Sequence, residues 1–374
     1  MRIAMLGCGY VANMYRLTLP LHPELELAGV CDVDEARARN MAQLTSSHQY
    51  PSFESMLADA QVDLILNLTN PRVHFETTRR CLEAGKHVYT EKPIALAFGQ
   101  SKELVDLAAR CHLELSSAPC TLLNEAGQTL WKALREQVVG TVRVVYAEMD
   151  DGMVHRMPVE KWINEAGVPW PYVDEFETGC TIEHAGYVLT WLAAMFGPAK
   201  SVTAFSTTIV PDKVPDHKIE SARDFSVGCI VFRSGVVARL TFGLFAPVDH
   251  QFKVFGDEGV ITVEDPRRDH SPIYVRKYFT LRRSRRLIPW RSRYPLVESG
   301  RPQVKYRGSQ ERDFCSGVAD MAAALRDHRK CRLSAEFGLH VVELTLALHG
   351  ASEHAQTYEM TTTFDPIEPQ EWAG

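Results

Sequence analysis

Along the first 119 residues, short apolar runs alternate with longer stretches of helical periodicity. Residues 2–6, 25–30, 64–68 and 87–90 are short and almost wholly apolar, as parallel strands buried on both faces should be. Between them, 11–19, 34–44, 53–59 and 73–84 repeat apolar positions every three to four residues, the last stretch stopping at Gly85. Strand and helix alternating at this spacing predict an α/β fold built on a doubly wound parallel sheet. From about residue 143 the pattern changes. Residues 143–149, 201–209, 225–232, 236–245, 252–255 and 260–263 are strand-like, and Ser234-Gly235 and Asp257-Glu258-Gly259 have the character of hairpin connections. Helical patterns cover 127–137, 183–196, 313–328 and 335–353. The second part is therefore expected to be α+β with a mostly antiparallel sheet, and the domains are expected at 1–119 and 120–374.

Composition narrows the class. At 374 residues, 45% hydrophobic and 24% charged, the chain can bury a sizeable core. Nine Cys are scattered with no C-x-x-C pair, which fits reduced thiols. The chain opens directly on a strand pattern, leaving no room for a signal peptide. No apolar run approaches the ~20 residues of a membrane span; the nearest is 188–196. A cytoplasmic protein is expected. The net charge of −6 gives no general attraction to nucleic acid or anionic membrane. One segment departs from this balance: between Arg267 and Arg307 thirteen Lys/Arg face only Asp269 and Glu298, leaving 28 basic against 45 acidic residues elsewhere. It reads either as a solvated arm or inter-subunit strap, or as a positive rim that steers an anionic substrate. It contains no recognisable nucleic-acid reading module.

The first chemical motif is Gly7-Cys8-Gly9-Tyr10-Val11-Ala12, a G-x-G-x-x-A turn between the first strand and the first helix. The first Gly permits the tight turn, the second lets a pyrophosphate approach the backbone, and Ala12 keeps the helix close to the sheet. The helix start offers N–H groups to phosphate. Asp32 follows 20 residues after Ala12, at the end of the second strand. A carboxylate there accepts from the adenine ribose hydroxyls and repels a 2′-phosphate, and the next residue is Val33 rather than an Arg. NAD is favoured over NADP. Thr69-Asn70-Pro71 and Glu91-Lys92-Pro93 fall at the carboxyl edge of the same sheet, where ligands bind.

With these residues in register, the sequence resembles the glucose–fructose oxidoreductase and inositol dehydrogenase family, Gfo/Idh/MocA. The resemblance rests on Gly7, Gly9, Ala12, Asp32, the stretch Leu68-Thr69-Asn70-Pro71 through His74, then Gly85-Lys86-His87 and Glu91-Lys92-Pro93. It implies an N-terminal Rossmann domain and a C-terminal domain with a large open sheet. It also implies a homodimer or homotetramer, and it places Lys92 near the hydroxyl undergoing oxidation. On this reading Gly7, Gly9, Tyr10, Val11, Ala12, Asp32, Thr69, Asn70, Pro71, His74, Glu91 and Lys92 bind the cofactor.

The family's second signature, D-x-G-x-H-x-x-D on a helix, corresponds here to Glu183-His184-Ala185-Gly186-Tyr187-Val188-Leu189-Thr190. Glu183 replaces the first Asp, Tyr187 the His and Thr190 the last Asp, so the expected catalytic His is missing. Glu183 and Tyr187 are four apart and share a helix face, with His184 about a quarter turn away. Hydride transfer from a secondary alcohol needs a group to take the hydroxyl proton. A phenol does this when a cation lowers its ordinary pKa of about 10. Tyr187 is therefore the expected proton acceptor or relay, Lys92 its electrostatic partner, and Glu183 or His184 a second acid/base or substrate clamp; the alternative is a Tyr187 packed in the core. Trp162, Trp170, Tyr172, Glu175 and Glu177 fall in a segment read as a loop, which would either line a saccharide pocket or close the sheet. Asp150, Asp151 and His155 follow a strand and could border the site. The His residues show no metal-site spacing, and neither G-x-S-x-G nor a Cys/His pairing suggests a covalent hydrolase.

The expected function is NAD-dependent oxidation of a secondary hydroxyl on a sugar, sugar derivative or cyclitol, neutral or anionic, with no nucleic-acid or membrane partner. The alternative, drawn from some family members, is a redox-neutral glycosidase: transient oxidation, elimination of the glycosidic bond, return of the hydride. A further alternative is a regulator that binds NAD and sugar without catalysis, against which the retained Lys92 argues.

Overall fold

The computed structural model describes residues 1–214, 219–302, 311–351 and 357–374. In chain order it runs β1 (Arg2–Leu6), α1 (Ala12–Thr18), β2 (Glu26–Cys31), α2 (Glu35–Thr45), β3 (His48–Gln49), α3 (Phe53–Leu57), β4 (Leu64–Asn67), α4 (His74–Glu83), β5 (His87–Thr90), α5 (Phe98–Cys111) and β6 (Leu115–Ser117). Then come α6 (Glu125–Arg135), β7 (Val142–Asp150), α7 (Tyr172–Thr178), α8 (Cys180–Phe196), β8 (Ala199–Thr207), β9 (Phe225–Phe232), β10 (Val237–Gly243), β11 (Phe252–Gly256) and β12 (Gly259–Val263). The chain closes with β13 (Ile273–Leu281), β14 (Ser284–Leu287), β15 (Ser292–Tyr294), α9 (Ser316–Arg326), α10 (Ala335–His349) and β16 (Tyr358–Glu359). Two compact units result. The first contains 1–120, 158–172 and 313–342; the second contains 121–157, 173–312 and 343–374.

The first unit is a six-stranded, wholly parallel sheet in the order β3-β2-β1-β4-β5-β6, the Rossmann arrangement with its switch between β1 and β4. All four residues of β4 and the last four of β1 are buried, which explains their unbroken apolar sequence. Local chemistry sets the helix ends. Asp34 caps α2 by accepting from the N–H groups of Ala36 and Arg37, and Ser52 and Ser55 form a reciprocal capping box on α3. The core joins Ile3, Met5, Tyr15, Leu66 and Tyr89 to Val318 and Met321 of α9.

The second unit is a ten-stranded sheet in the order β14-β13-β12-β11-β7-β10-β9-β8-β16, with β15 pairing with β13. Every pairing is antiparallel except β7 with β10. From Ser226 to Phe232, β9 alternates buried with less buried positions, the period-2 pattern of a sheet with one covered face. Helix α8 packs on β7, β9 and β10. Its Trp191 is fully buried, 5.8 Å from the Phe252 ring, with Nε1 donating to Thr121 Oγ1 at 3.2 Å.

Three expectations are corrected. The basic segment is not a free arm: from Ile273 to Tyr294 it forms β13, β14 and β15, with Arg285 and Arg291 stacked over Tyr278 and Tyr274. Alternation there is masked by exposed arginines on both sides of the strands. Residues 303–307 of that segment, like the end of the helix expected to reach 353, lie outside the described residues. Tyr172, Glu175 and Glu177 belong to helix α7 rather than a loop. The short edge strands β3 and β6 and the helix α5 have no counterpart among the expected elements.

Replacing Trp191 by Ala should cost about 3–5 kcal/mol, because it empties the centre of the second unit and strands the Thr121 hydroxyl. Urea denaturation followed by circular dichroism measures the shift.

Candidate active site

In the first unit the fingerprint turn has the geometry its sequence demands. Gly7 sits at φ +94°, and a Cβ on it would stand 2.7 Å from the carbonyl of Leu68, so no other residue fits. Gly9 is different: no atom lies within 4 Å of where its Cβ would be. That open cradle beside the backbone is the space a dinucleotide pyrophosphate needs, and the residues fit such a cofactor. Ala12 is fully buried at the start of α1. Asp32 braces the turn, its Oδ2 accepting from Cys8 N–H at 2.6 Å and its Oδ1 from Asp34 N–H at 2.8 Å. Val33 beside it is fully exposed.

The rest of the sheet edge is held by a chain of buried polar contacts. Asn67 accepts from the Thr69 hydroxyl at 2.7 Å and donates to Thr77 and Thr78, building the turn that carries Thr69, Asn70 and Pro71. Asn70 caps the following turn through Arg72 N–H. His74 is fully buried, with Nδ1 2.7 Å from the Pro93 carbonyl and Nε2 2.9 Å from that of Thr69. Burial pushes its pKa below the ordinary value, so the ring is neutral near pH 7 and donates to one carbonyl at a time. It ties the Thr69 turn to the Lys92-Pro93 turn. Glu91 accepts from Tyr15 Oη at 2.8 Å and from Lys92 N–H at 3.0 Å, anchoring the segment that presents Lys92 to helix α1.

In the second unit, five ionisable side chains converge where β7 ends and α8 begins. Asp151 is the hub. Its Oδ2 is 2.9 Å from His184 Nδ1, and its Oδ1 is 2.9 Å from both His250 Nε2 and Arg267 Nη1. Asp265 lies 3.2 Å from Arg267 Nε and 3.3 Å from His250 Nδ1. Burial alone would raise the Asp151 pKa, but His184, His250 and Arg267 overcome it and hold the carboxyl well below the ordinary range. Two carboxylates against one guanidinium leave a negative charge for the imidazoles to balance. For His250, burial works against protonation, yet the bonds to Asp151 and Asp265 outweigh it and the pKa is raised. Asp265 Oδ2, 3.3 Å from Nδ1, is the ion-pair partner of the protonated ring. The 2.6 Å approach of Arg267 Nη2 to the same nitrogen belongs to the neutral form.

Tyr187 lies one helical turn beyond His184 with the Arg312 guanidinium 4.8 Å from its ring centre, and Arg267 is close enough to interact with it electrostatically. Glu183 is buried. Thr190, in the place of the family's last Asp, spends its hydroxyl on Gly186 O within α8. His155 stands apart, its ring against Phe245. Asp150 is buried beside Glu148 and Asp249, and burial foremost lifts its pKa to about 6. The Trp162 and Trp170 rings, in the first unit, face each other at 5.0 Å. His250, Asp265 and Arg267 escaped the sequence reading because they meet Asp151 only through sheet pairing. Their one signal is that polar residues stand just outside the strand patterns 252–255 and 260–263.

Comparison with known proteins agrees with this geometry. Residues 1–118 match the model of the oxidoreductase family with an NAD-binding Rossmann fold, and 128–262 match the GFO/IDH/MocA C-terminal domain. The chain belongs to the Gfo/Idh/MocA oxidoreductase family. It is 24% identical to trans-1,2-dihydrobenzene-1,2-diol dehydrogenase of Sus scrofa over 273 residues, 71% of this chain and 75% of the relative. Its fold is that of the WlbA dehydrogenase from Bordetella pertussis, solved with NADH and UDP-GlcNAcA (TM-score 0.72, 18% identity, 96% and 97% of the two chains). It is equally that of the aldose-aldose oxidoreductase from Caulobacter crescentus complexed with glycerol (TM-score 0.74, 17% identity, 96% and 99%). As a family member the chain is an oxidoreductase with an NAD-binding domain. Among the described residues no helix is long and apolar enough to cross a membrane.

The network has a pH signature. His250 contributes stability in full below its unfolded value of 6.5 and loses it as the pH rises through the raised folded value. Thermal melts from about pH 5 to about pH 9 should therefore show the native chain's advantage over His250→Gln shrinking toward alkaline pH. Asp151→Ala, which takes the carboxylate from His184 and leaves His250 and Arg267 with Asp265 alone, should cost about 3 kcal/mol near neutrality.

Proposed function

We propose that the chain is an NAD-dependent dehydrogenase acting on a secondary hydroxyl of a sugar, sugar derivative or cyclitol, with Lys92 and Tyr187 handling the hydroxyl proton. The observation that carries this reading is the setting of Tyr187: a phenol on the family's catalytic helix, with a guanidinium over its ring and a carboxylate-held imidazole one turn away. Bound NAD supplies the hydride acceptor. Arg312 lies over the Tyr187 ring and Arg267 is close enough to interact with it, and in this reading Tyr187 is the acceptor or relay for the hydroxyl proton. Asp32 selects NAD, since a second negative charge would face its carboxylate in NADP. His184 takes the role of second acid/base. Its Nδ1 stands at ion-pair distance, 2.9 Å, from the acceptor-only carboxylate of Asp151; a proton held there would leave Nε2 free to act on the substrate. The excess of basic residues between 268 and 301 suits an anionic sugar.

The same imidazole supports a second reading. Oxidation of a sugar carbon acidifies the neighbouring C–H, and a base beyond the Lys92–Tyr187 pair can remove that proton and expel a glycosidic leaving group before the hydride returns. His184, held by Asp151 and about one quarter exposed, meets this requirement.

Purified protein with NAD and a panel of free sugars, cyclitols, sugar nucleotides and glycosides decides between them. NADH accumulating in proportion to a free sugar or cyclitol is the expected result. NAD-dependent aglycone release without NADH accumulation would move the assignment to redox-neutral cleavage, and no turnover of any class would overturn both. On the active substrate, Lys92→Ala should lower kcat by about a thousandfold or more, a larger loss than any weakening of NAD binding. Unchanged kcat would remove Lys92 from the proton path.

A further inference from the structure

A segment distant in sequence from the dinucleotide fingerprint is built against it. Residues 162–170 form a small hairpin whose ends are tied by the Ile163–Pro169 bridge and the facing Trp162 and Trp170 rings. Its tip is fixed by its own sequence: Asn164 Oδ1 accepts from Ala166 N–H at 3.0 Å and Val168 N–H at 2.9 Å, and Gly167 takes the positive φ of +78° that closes the turn. This preformed tip is then pinned on both sides. Asn164 Nδ2 donates to the carbonyl of Tyr10 in the fingerprint turn at 3.0 Å, and Asn40 Nδ2 of α2 donates to the Ala166 carbonyl at 2.9 Å. Glu165 adds an ion pair with Arg16 at 3.6 Å.

Beneath the tip lies a cavity of about 330 Å³. Cys8, Arg37 and Asn40 form its inner wall, and residues 166–169 its outer wall. Cys8 of the fingerprint turn is on the inner wall, and its N–H is bonded to Asp32, the carboxylate expected to receive the adenine ribose. The one charged lining residue is Arg37, ion-paired with Asp34 at 3.3 Å. We infer that the 162–170 hairpin is the outer wall of the ADP-ribose subsite, so that cofactor affinity depends on a segment outside the βαβ unit that carries the fingerprint. This rests on the chain binding a dinucleotide, but not on which hydroxyl it oxidises.

The test uses ADP-ribose, which lacks nicotinamide and cannot take part in hydride transfer, titrated calorimetrically into the full chain. Asn164→Ala frees the tip from Tyr10, and Ala166→Trp fills the cavity while leaving the turn's own bonds in place. Both should weaken ADP-ribose binding tenfold or more, with thermal melting of Ala166→Trp close to that of the native chain. Undiminished binding by a folded Ala166→Trp would overturn the hairpin's role alone. Failure of the native chain to bind ADP-ribose or NAD would overturn it together with the cofactor reading.

Discussion

The arrangement of the second unit depends on keeping the carboxylate of Asp151 ionised out of water. An isolated buried carboxylate costs several kcal/mol and would be protonated instead. Here three cationic or potentially cationic groups surround it, drawn from α8, from the lead-in to β11 and from the turn after β12. They meet only because β11 lies between β7 and β12 in one register. A slip of one residue in either pairing would turn His250 or Arg267 to the opposite face and leave the charge unpaired. The electrostatic cost thus selects the register, and the register delivers His184, Arg267 and Tyr187 to one place.

A smaller version of the same logic operates in the first unit. Asp32 satisfies two backbone N–H groups and so fixes the turn at Cys8 that a cofactor must approach. Glu91 and His74 bind the Lys92 turn to α1 and to the Thr69 turn. Chemistry-bearing residues stand on loops, while their positions are set by buried polar partners behind them.

What the sequence disclosed follows from whether a signal is local. The strands β1 and β5 and the fingerprint were legible to the residue, because a short buried strand, a glycine turn and an acid 20 residues on are all local features. The substitution of Tyr187 for the family's His was equally visible. The edge strands β3 and β6 were not, since two or three residues carry no period. The strands β13 to β15 were hidden by arginines, whose long side chains cover apolar surface and obscure the alternation. The Asp151 network was invisible in principle: its members lie 33 to 116 residues from the hub and share no spacing. The helix at Tyr172, Glu175 and Glu177 was obscured by the prolines just before it.

The substitution on α8 gains its meaning from that network. Where a family signature loses its His, the bland expectation is lost catalysis. Here a different imidazole stands three residues earlier, held by a carboxylate from the end of β7 and flanked by a phenol under a guanidinium. The most direct measurement of this account is the protonation pattern of the His184 ring, read by nitrogen-15 NMR of histidine-labelled protein and assigned with His184→Gln. A proton on Nδ1, facing Asp151, with Nε2 bare is the expected result, and that preference should be lost in Asp151→Asn. A proton found on Nε2 with Nδ1 bare in the native chain would contradict it.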